Sequence, residues 1–434
     1  MISNRDLSDW LLAISHRHPT EIDLGLSRIK AVATRSKVLD FSYKVVTVGG
    51  TNGKGSTVAT LATLLFKAGL NVGTYTSPHL LHFNERIQIN GDPVPDHLLC
   101  ESFAKIEASL RSISLTYFEF ITLVAFDVFQ KANPALDVVI LEVGMGGRLD
   151  AVNVVDPNMA IISSISYDHQ AWLGNTLEDI ALEKAGIFRH QLPVILSDAA
   201  AKISALTLQA KKLNCNILCE GSDFGYDKDH SQWVEHQNVI DLPAFNLPPR
   251  SVSSALAAYQ WLAQNTFSLA SLQTIVTSLH HKMMMGRAHI IYLEGKMVIL
   301  DVAHNPEGSQ WLSERLLHLG VGKNISAVWS SLSDKSFSEI IEPMKSLVKT
   351  WYIGQLEAVP RATPVSLLHE ALLHSGVKQI ASFDNIYHAF QAALNSAAQC
   401  IVVFGSFYTV SQVLEQMVPF SIPPRCFGLY TARI

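Results

Sequence analysis

Residues 45–57 read Val45-Val46-Thr47-Val48-Gly49-Gly50-Thr51-Asn52-Gly53-Lys54-Gly55-Ser56-Thr57. The first of these residues form a β-branched run of the kind found in buried strands, and that run ends in glycines. From Thr57 onward apolar residues recur with a helical period, and Gly69 is the predicted end of the helix. A strand, a glycine-rich loop and a helix in this order are the context of a phosphate-binding loop. The pattern therefore predicts an α/β domain that binds phosphate groups.

The predicted phosphate loop carries one cation beside hydroxyl residues. Its glycines let the backbone N–H groups converge on phosphate oxygens, and Lys54 is long enough to reach the outer phosphates. The loop departs from the Walker pattern, because Val48 stands where the first glycine would be and Gly55 separates Lys54 from Ser56. The alternative interpretation is a glycine-rich turn without a ligand, and Lys54 in this context weighs against it.

The rest of the chain alternates between predicted strands and helices, which is typical of a parallel sheet covered on both faces. Because 434 residues are too many for one ordinary core, we expect two domains, residues 1–285 and residues 286–434. A polar stretch at 220–250 is predicted to form peripheral short strands or loops. Further strands are predicted at 72–76, 138–141 and 161–165 in the first domain, and at 298–300, 327–329, 351–353 and 401–404 in the second.

Composition and charge exclude several classes of protein. A net charge of −5 with interspersed signs and no basic stripe argues against a nucleic-acid partner. No apolar run is long enough to cross a bilayer, and the N-terminus lacks the apolar core of a signal peptide. The cysteines are scattered, and Cys215 and Cys219 have no partners for a zinc site. We therefore expect a cytoplasmic protein without a membrane partner.

Acidic residues stand at the ends of predicted strands. Glu142 ends the buried run at 138–141, and Asp168-His169 follows the run at 161–165. In open α/β sheets the ligand crevice lies at the carboxyl ends of the strands, so Glu142 is expected to face the phosphate loop. Its carboxylate is a hard oxygen ligand that suits Mg²⁺ beside substrate phosphates. The alternatives are that these acids are helix caps or surface groups and that His169 is an ordinary polar histidine.

Three other sites are not assigned a function by pattern alone. Lys184, in Leu182-Glu183-Lys184-Ala185-Gly186-Ile187, is on pattern alone a solvated lysine at the end of a helix. Asp301 ends a strand of the second domain, where it either accepts hydrogen bonds from a ribose hydroxyl or caps the following helix. The same two interpretations apply to Gly405-Ser406.

Together these residues resemble the folylpolyglutamate synthase family, which is related to the Mur ligases, and most closely its bacterial bifunctional dihydrofolate synthase/folylpolyglutamate synthases. The resemblance runs from Ile22-Asp23-Leu24-Gly25-Leu26 to Gly405-Ser406-Phe407-Tyr408. Its most specific stretches are Gly50-Thr51-Asn52-Gly53-Lys54-Gly55-Ser56, Thr76-Ser77-Pro78-His79-Leu80, Glu85-Arg86-Ile87 and residues 141–187. It implies an α/β fold in which a P-loop-containing, Mur-ligase-like N-terminal domain with a parallel sheet precedes a smaller, Rossmann-like C-terminal domain.

The resemblance also implies the roles of individual residues. It assigns catalysis to Lys54, His169 and Lys184, and it matches Lys184 to a lysine that is carbamylated in the family. It assigns Mg²⁺, as two ions, to a site that includes Ser77, Glu142 and His169. The residues matched to ATP contacts are Gly53, Lys54, Gly55, Ser56, Ser251, Arg287, Asp301 and His304. The residues matched to dihydropteroate contacts are Asp23, Leu24, Gly25, Leu26, Thr116, Tyr117, Phe118, Glu119, Leu149, Asp150 and Ala151.

Three positions depart from the family pattern. Ser251 stands where an asparagine that contacts ATP is common, so that contact is expected to be weaker or lost. Met285 replaces the usual proline before Gly286-Arg287, and Ser336 replaces a usual acid after Asp334-Lys335. None of these changes removes a predicted metal or phosphate ligand.

The implied activity is an ATP-dependent ligation of L-glutamate to dihydropteroate and to the γ-carboxylate of reduced folates, by a monomeric enzyme. An acyl phosphate is the implied intermediate. Alternatives are a monofunctional folylpolyglutamate synthase, a Mur-type ligase of cell-wall precursors, and a nucleotide-binding switch without ligase chemistry. The segments at 116–119 and 149–151 weigh against the cell-wall ligase.

Overall fold

The computed structural model describes residues 5–322, 324–417 and 429–431. These residues form two compact units. The first unit contains residues 5–78, Phe83–Lys282 and 429–431, and the second contains His79–His82 and residues 283–417. The proposed domain limits at residues 285 and 286 stay a prediction, because compactness alone does not test independent folding. Within the described residues, no helix combines the length and the apolar character that crossing a bilayer requires.

The first unit is built on an eight-stranded sheet. Its strands are β1 (Lys44–Gly49), β2 (Val72–Tyr75), β3 (Ile87–Ile89), β4 (Asp92–Pro93), β5 (Val138–Glu142), β6 (Met159–Ile162), β7 (Pro193–Leu196) and β8 (Asn216–Cys219). The spatial order is β4-β3-β2-β5-β1-β6-β7-β8. The strands from β2 to β8 in that order are parallel, as predicted. The edge strands β3 and β4 are antiparallel additions that the sequence pattern did not reveal.

Helices cover this sheet because its central strands are apolar on both sides. Every residue of β5 is buried, and so is every residue of β1 after Lys44. The helices of the unit are α1 (Leu7–Ser15), α2 (Ser27–Ser36), α3 (Lys54–Lys67), α4 (Asp96–Leu110), α5 (Tyr117–Gln130), α6 (Gln170–Leu173), α7 (Leu177–Ala185), α8 (Asp198–Ala201), α9 (Ser204–Lys212), α10 (Pro249–Asn265) and α11 (Leu272–Ile275). The predicted apolar face of α3 is buried, with Leu61 and Leu65 inaccessible to solvent.

The polar stretch at 220–250 forms a small separate sheet, as its short-strand prediction indicated. Strands β9 (Phe224–Asp227), β10 (Gln232–Glu235) and β11 (Asn238–Asp241) are antiparallel. Trp233 is fully buried and lies opposite Ile240 in the register. This single large side chain gives an otherwise polar hairpin series an apolar anchor.

The second unit contains a six-stranded sheet. After β12 (Lys282–Met284), its strands are β13 (His289–Leu293), β14 (Lys296–Leu300), β15 (Ile325–Trp329), β16 (Val348–Gly354), β17 (Ile380–Phe383) and β18 (Cys400–Phe404). The order is β13-β14-β18-β15-β16-β17, and only β13 is antiparallel to its neighbour. Its helices are α12 (Pro306–His318), α13 (Phe337–Ile341), α14 (Val365–His374), α15 (Ile386–Leu394) and α16 (Phe407–Met417). A last short strand, β19, covers Leu429–Thr431.

Candidate active site

The phosphate loop joins β1 to α3 and contains two glycines with positive φ. Gly50 has φ of +141° and Gly53, the residue before the first turn of α3, has φ of +83°. Lys54 donates hydrogen bonds from Nζ to the carbonyls of Gly50 at 3.1 Å and Thr51 at 3.0 Å. The ammonium group is therefore held beside the loop, at the N-terminus of a 14-residue helix whose partial positive charge favours anions.

Two serines that follow β6 hold this loop in shape. Ser163 donates from its hydroxyl to the Asn52 carbonyl at 2.7 Å, and the Ser164 hydroxyl accepts the Asn52 N–H at 2.9 Å. The Thr51 N–H donates to the Ser164 carbonyl at 2.9 Å. The predicted strand at 161–165 ends at Ile162: the Ser163 N–H still bonds the Gly49 carbonyl at the end of β1, but the two serine hydroxyls and the Ser164 carbonyl bond the phosphate loop. Sequence reasoning missed these serines, since their role depends on β6 lying beside β1.

Lys184 is a buried part of the same site. Only 4% of this residue is exposed, although it lies in the last turn of α7. Its Nζ donates to the Gly50 carbonyl at 2.8 Å, the same carbonyl that Lys54 approaches. The alternative of a solvated lysine at a helix end is wrong, because α7 turns this side chain inward against the phosphate loop.

A carboxylate and a hydroxyl residue meet at the carboxyl edge of the sheet. Glu142 is the last residue of β5, lies opposite Val48 of β1 in the register, and is 5% exposed. Its Oε2 accepts the backbone N–H of Ser77 at 3.1 Å. Ser77 follows β2, the neighbour of β5, so the parallel arrangement brings the two residues together. A carboxylate and a hydroxyl are hard oxygen donors, and this donor chemistry fits Mg²⁺.

His169 lies on the loop that follows β6, just before α6. Its backbone adopts φ of +51°, and its N–H donates to Asp168 Oδ1 at 2.9 Å. Its Nε2 lies 3.9 Å from Asp168 Oδ2. Asp168 therefore holds the backbone of His169, and the histidine side chain is half-buried. The role of His169 as a metal ligand stays a prediction.

The segments matched to dihydropteroate converge on the start of α5. Thr116 and Glu119 form a capping box, in which Thr116 Oγ1 accepts the Glu119 N–H and Glu119 Oε2 accepts the Thr116 N–H. Arg28 contacts Glu119 and also Asp23, so the segment of Asp23, Leu24, Gly25 and Leu26 is tied to this helix end. Tyr117 lies under the Arg86 guanidinium, whose Cζ is 5.9 Å from the ring centroid.

Phe118 and Asp150 both lie close to Gly144, on the side where a Cβ would project. A Cβ added to Gly144 would come within 2.7 Å of the Phe118 ring and 3.2 Å of Asp150 Oδ2. Asp150 accepts the N–H groups of Met145 at 2.8 Å and Val152 at 3.0 Å, so it organises the loop. Burial raises the pKa of Asp150 to about 6, while the backbone donors and the charge of Lys54 act in the opposite direction. The flanking Leu149 and Ala151 are half-buried and buried, respectively.

The second unit places Arg287, Asp301 and His304 close together. Asp301 is buried after β14 and accepts the N–H groups of Ala288 and Ala303, both at 2.7 Å. Burial raises its pKa to about 6, and the nearby Arg287 charge acts against that rise. The helix-cap alternative is wrong for Asp301, because Asn305 caps α12 by accepting the Gly308 N–H. His304 Nδ1 donates to the Val302 carbonyl at 2.8 Å.

The same unit contains Ser406 and a cation–aromatic contact. The Ser406 hydroxyl accepts the Thr409 N–H at 2.9 Å, so the cap interpretation is correct for this residue. Arg287 Cζ lies 5.6 Å from the centroid of the Phe407 ring, and the His304 ring lies 6.4 Å from the same centroid. Phe407 was not among the predicted site residues, although it belongs to the quoted Gly405-Ser406-Phe407-Tyr408 stretch.

The three departures from the family pattern have local structural accounts. Ser251 is buried in the first turn of α10 and donates from Oγ to the Gly53 carbonyl at 3.2 Å, so it contacts the phosphate loop itself. Met285 is half-buried against the apolar cluster of the second unit. Ser336 precedes α13 without capping it, beside Lys335, which pairs with Asp334 at 3.2 Å.

Comparisons with known proteins agree with this architecture. The family model of the Mur ligase middle domain matches residues 48–242, and that of the Mur ligase glutamate ligase domain matches residues 286–407. The dihydrofolate synthase/folylpolyglutamate synthase of Escherichia coli (strain K12) is 38% identical over 414 residues, which cover 94% of this chain and 95% of that protein. The corresponding protein of Haemophilus influenzae is 37% identical, with 94% and 96% covered.

A solved structure extends the likeness to three dimensions. The structure of E. coli FolC in complex with DHPP and ADP has a TM-score of 0.88 at 37% identity, and the match covers 95% of this chain and 98% of that one. The Mur-ligase-like α/β fold is thereby confirmed. By its domains, its sequence and its fold, the chain belongs to the bifunctional dihydrofolate synthase/folylpolyglutamate synthase family of ATP-dependent ligases.

Proposed function

We propose that this chain uses ATP to join L-glutamate to dihydropteroate, forming dihydrofolate, and to the γ-carboxylate of reduced folates. The observation that carries the proposal is the phosphate loop, where Lys54 and Lys184 both donate to the Gly50 carbonyl beside a helix N-terminus. The Lys54 cation and the partial positive charge of the helix N-terminus suit a reaction that moves a highly charged phosphoryl group. The dihydrofolate synthase/folylpolyglutamate synthases that resemble the chain support the choice of substrates.

The chemistry proceeds in two steps. A carboxylate oxygen of the acceptor attacks the γ-phosphorus of ATP, and the bond to the bridging oxygen of ADP breaks. The amine of glutamate then attacks the acyl carbon, phosphate leaves, and the amine loses its proton as the amide forms. Lys54 neutralises charge on the phosphoryl group during the first step, as the loop N–H groups do. We assign Gly53, Lys54, Gly55, Ser56, Ser251, Arg287, Asp301 and His304 to ATP.

We assign the divalent metal to Ser77, Glu142 and His169, and we propose that it is Mg²⁺, bound as two ions. A solved bifunctional folylpolyglutamate synthase/dihydrofolate synthase, at 37% identity and a TM-score of 0.87, holds Mn, AMPPNP and L-glutamate. The contact between Glu142 and the Ser77 backbone supports a preformed oxygen site in this chain. When bound, the metal supplies charge neutralisation at the phosphate oxygens.

Two further proposals concern Lys184 and the state of the protein. We propose that Lys184 is carbamylated in the active enzyme, since it matches the family lysine and is buried beside the phosphate loop. We also propose a cytoplasmic monomer. The described Cys100, Cys215, Cys219 and Cys400 are free thiols, which fits a reducing compartment where ATP is available.

We assign the acceptor to Asp23, Leu24, Gly25, Leu26, Thr116, Tyr117, Phe118, Glu119, Leu149, Asp150 and Ala151. The packing of Phe118 and Asp150 together beside Gly144 supports this assignment, because an aromatic face and a carboxylate suit a flat ring with N–H donors. Asp150 is a buried polar residue.

The test is an ADP-release assay with alternative acceptors. Dihydropteroate and a reduced folate are each supplied with ATP, Mg²⁺ and glutamate, and a nucleotide-linked muramyl substrate serves as the comparison. Both pteroate-containing acceptors are expected to support glutamate-dependent ADP release. Activity with the reduced folate alone would indicate a monofunctional folylpolyglutamate synthase. Activity with the muramyl substrate alone would overturn the proposal.

A further inference from the structure

A single guanidinium group joins the two chain segments that lie at the start of α2 and the start of α5. Arg28 Nη1 lies 2.8 Å from the Asp23 carboxylate, and Nη2 donates to the Asp23 backbone carbonyl at 2.6 Å. Nη2 also lies 3.2 Å from Glu119 Oε1. Asp23 and Glu119 are far apart in sequence, so this guanidinium links two segments that are distant along the chain.

Glu119 is a buried carboxyl group that lies beside this cation. It is 4% exposed, and its Oε2 is engaged by the Thr116 N–H at 2.8 Å, which leaves Oε1 to face Arg28. A buried carboxylate is costly unless an opposite charge lies beside it, and the contact of Oε1 with Arg28 is such an ion pair, without the geometry of a hydrogen bond. Arg28 therefore stabilises the capping box that begins α5, and Phe118 lies within the same helical turn.

The position of Phe118 depends on this helix end. Its ring packs against Gly144 and lies 5.9 Å from the Tyr75 ring in a stacked arrangement. On the other side of Arg28, the Asp23 carbonyl is held directly, so the backbone of the following Leu24 to Leu26 segment starts from a fixed point. The planar fork of arginine is suited to holding a carboxylate, a carbonyl and a second carboxylate at once, which a lysine ammonium does less well.

We infer that Arg28 is a positioning residue for the pteroate-containing acceptor, an inference that rests on the proposed function. It acts through Asp23 and Glu119 and sets the separation between the Asp23–Leu26 segment and Phe118. Arg28 does not touch the ATP phosphate loop through any contact among the described residues. Its loss therefore weakens use of the acceptor and leaves use of ATP intact.

The experiment compares Arg28→Lys and Arg28→Met with the wild-type protein in the ADP-release assay. Arg35→Met is the matched control, because Arg35 lies on the same helix and donates to the Ala31 carbonyl of that helix. We expect the KM for dihydropteroate to rise about 10- to 100-fold in Arg28→Met, the range that small displacements of substrate-positioning groups produce. The KM for ATP stays unchanged, Arg28→Lys restores part of the loss, and Arg35→Met behaves as wild type.

Thermal unfolding of each variant separates positioning from folding. If Arg28 served stability alone, both Arg28 variants would melt earlier while the KM for dihydropteroate stayed at the wild-type value, and the inference would be overturned. If Arg28→Met fails to fold, the KM for dihydropteroate is taken from Arg28→Lys, because that variant keeps the positive charge beside Glu119. A wild-type KM in Arg28→Lys would then overturn the inference. A wild-type protein without dihydropteroate-dependent ADP release would instead refute the proposed function, on which the inference depends.

Discussion

Replacing Gly50 by alanine tests how tightly the phosphate loop is packed. Gly50 has φ of +141°, and an added Cβ would lie 2.1 Å from Ser163 Oγ and 3.0 Å from the backbone nitrogens of Ser163 and Ser164. The Ser163 hydroxyl cannot turn away without losing its hydrogen bond to the Asn52 carbonyl at 2.7 Å. The Ser163 backbone nitrogen cannot move without disturbing its hydrogen bond to the Gly49 carbonyl at 2.9 Å.

The expected cost follows from two separate contributions. A side chain held at this φ costs about 1–3 kcal/mol of backbone strain. Crowding against a packed neighbour adds about 1–3 kcal/mol. Gly50→Ala is therefore expected to destabilise the loop by about 2–6 kcal/mol and to raise the KM for ATP, because the Gly50 carbonyl that positions Lys54 and Lys184 is displaced.

Gly69→Ala is the matched control for this prediction. Gly69 also has a positive φ, +96°, but an added Cβ meets nothing within 4 Å. It should show the strain alone, with an unchanged KM for ATP. The measurements are urea denaturation and steady-state kinetics with ATP varied. Equal stability of the two variants, together with a wild-type KM for ATP in Gly50→Ala, would refute the packing argument.

Three further predictions concern a buried acid, the loop contact of α10 and the metal site. Because burial raises the pKa of Asp150 from 3.8 to about 6, its proton stabilises the folded protein fully below about pH 4, and this stabilisation is lost as pH rises through about 6. Between pH 4 and pH 7 the free energy of unfolding of the wild type should fall by up to about 3 kcal/mol relative to Asp150→Asn. Urea denaturation at each pH measures this difference, and a difference that does not change with pH would contradict the raised pKa of Asp150. Ser251→Ala removes a hydrogen bond to the Gly53 carbonyl and should raise the KM for ATP about 2- to 10-fold, with Ser254→Ala on the same helix as the control. Glu142→Gln should raise the Mg²⁺ concentration for half-maximal ADP release by about 10-fold or more, and an unchanged Mg²⁺ titration would remove Glu142 from the metal site.

The sequence predicted those features that depend on local pattern. The strand from Val45, the glycine loop and the helix after Lys54 follow from β-branched residues, glycines and apolar periodicity, and the structure confirms them. The position of Glu142 at the sheet edge also followed, because residues at the carboxyl ends of neighbouring parallel strands must meet. The short hairpin series around Trp233 was likewise indicated by the loss of long periodic runs.

Features that depend on strand order lay beyond a pattern-based prediction. Ser163 and Ser164 read as the end of a strand, and their bonds to the loop arise only because β6 pairs with β1. The local pattern predicted a solvated Lys184, since nothing in the sequence of α7 shows that this side chain faces the phosphate loop. Asp301 offered the pattern of a helix cap, but Asn305 takes that role and leaves Asp301 buried against the Ala288 N–H. The family resemblance, and not the pattern, marked Lys184 and Asp301 as functional.

ADP release by Lys54→Ala, with dihydropteroate and glutamate both present, tests whether the phosphate loop binds ATP for the ligation. Lys54 is the cation at the first turn of α3, and Lys67→Ala, at the exposed far end of the same helix, is the matched control. We predict that Lys54→Ala abolishes ADP release that depends on dihydropteroate plus glutamate, while Lys67→Ala retains the wild-type rate. Turnover by Lys54→Ala at the wild-type rate would contradict the assignment of this loop to ATP.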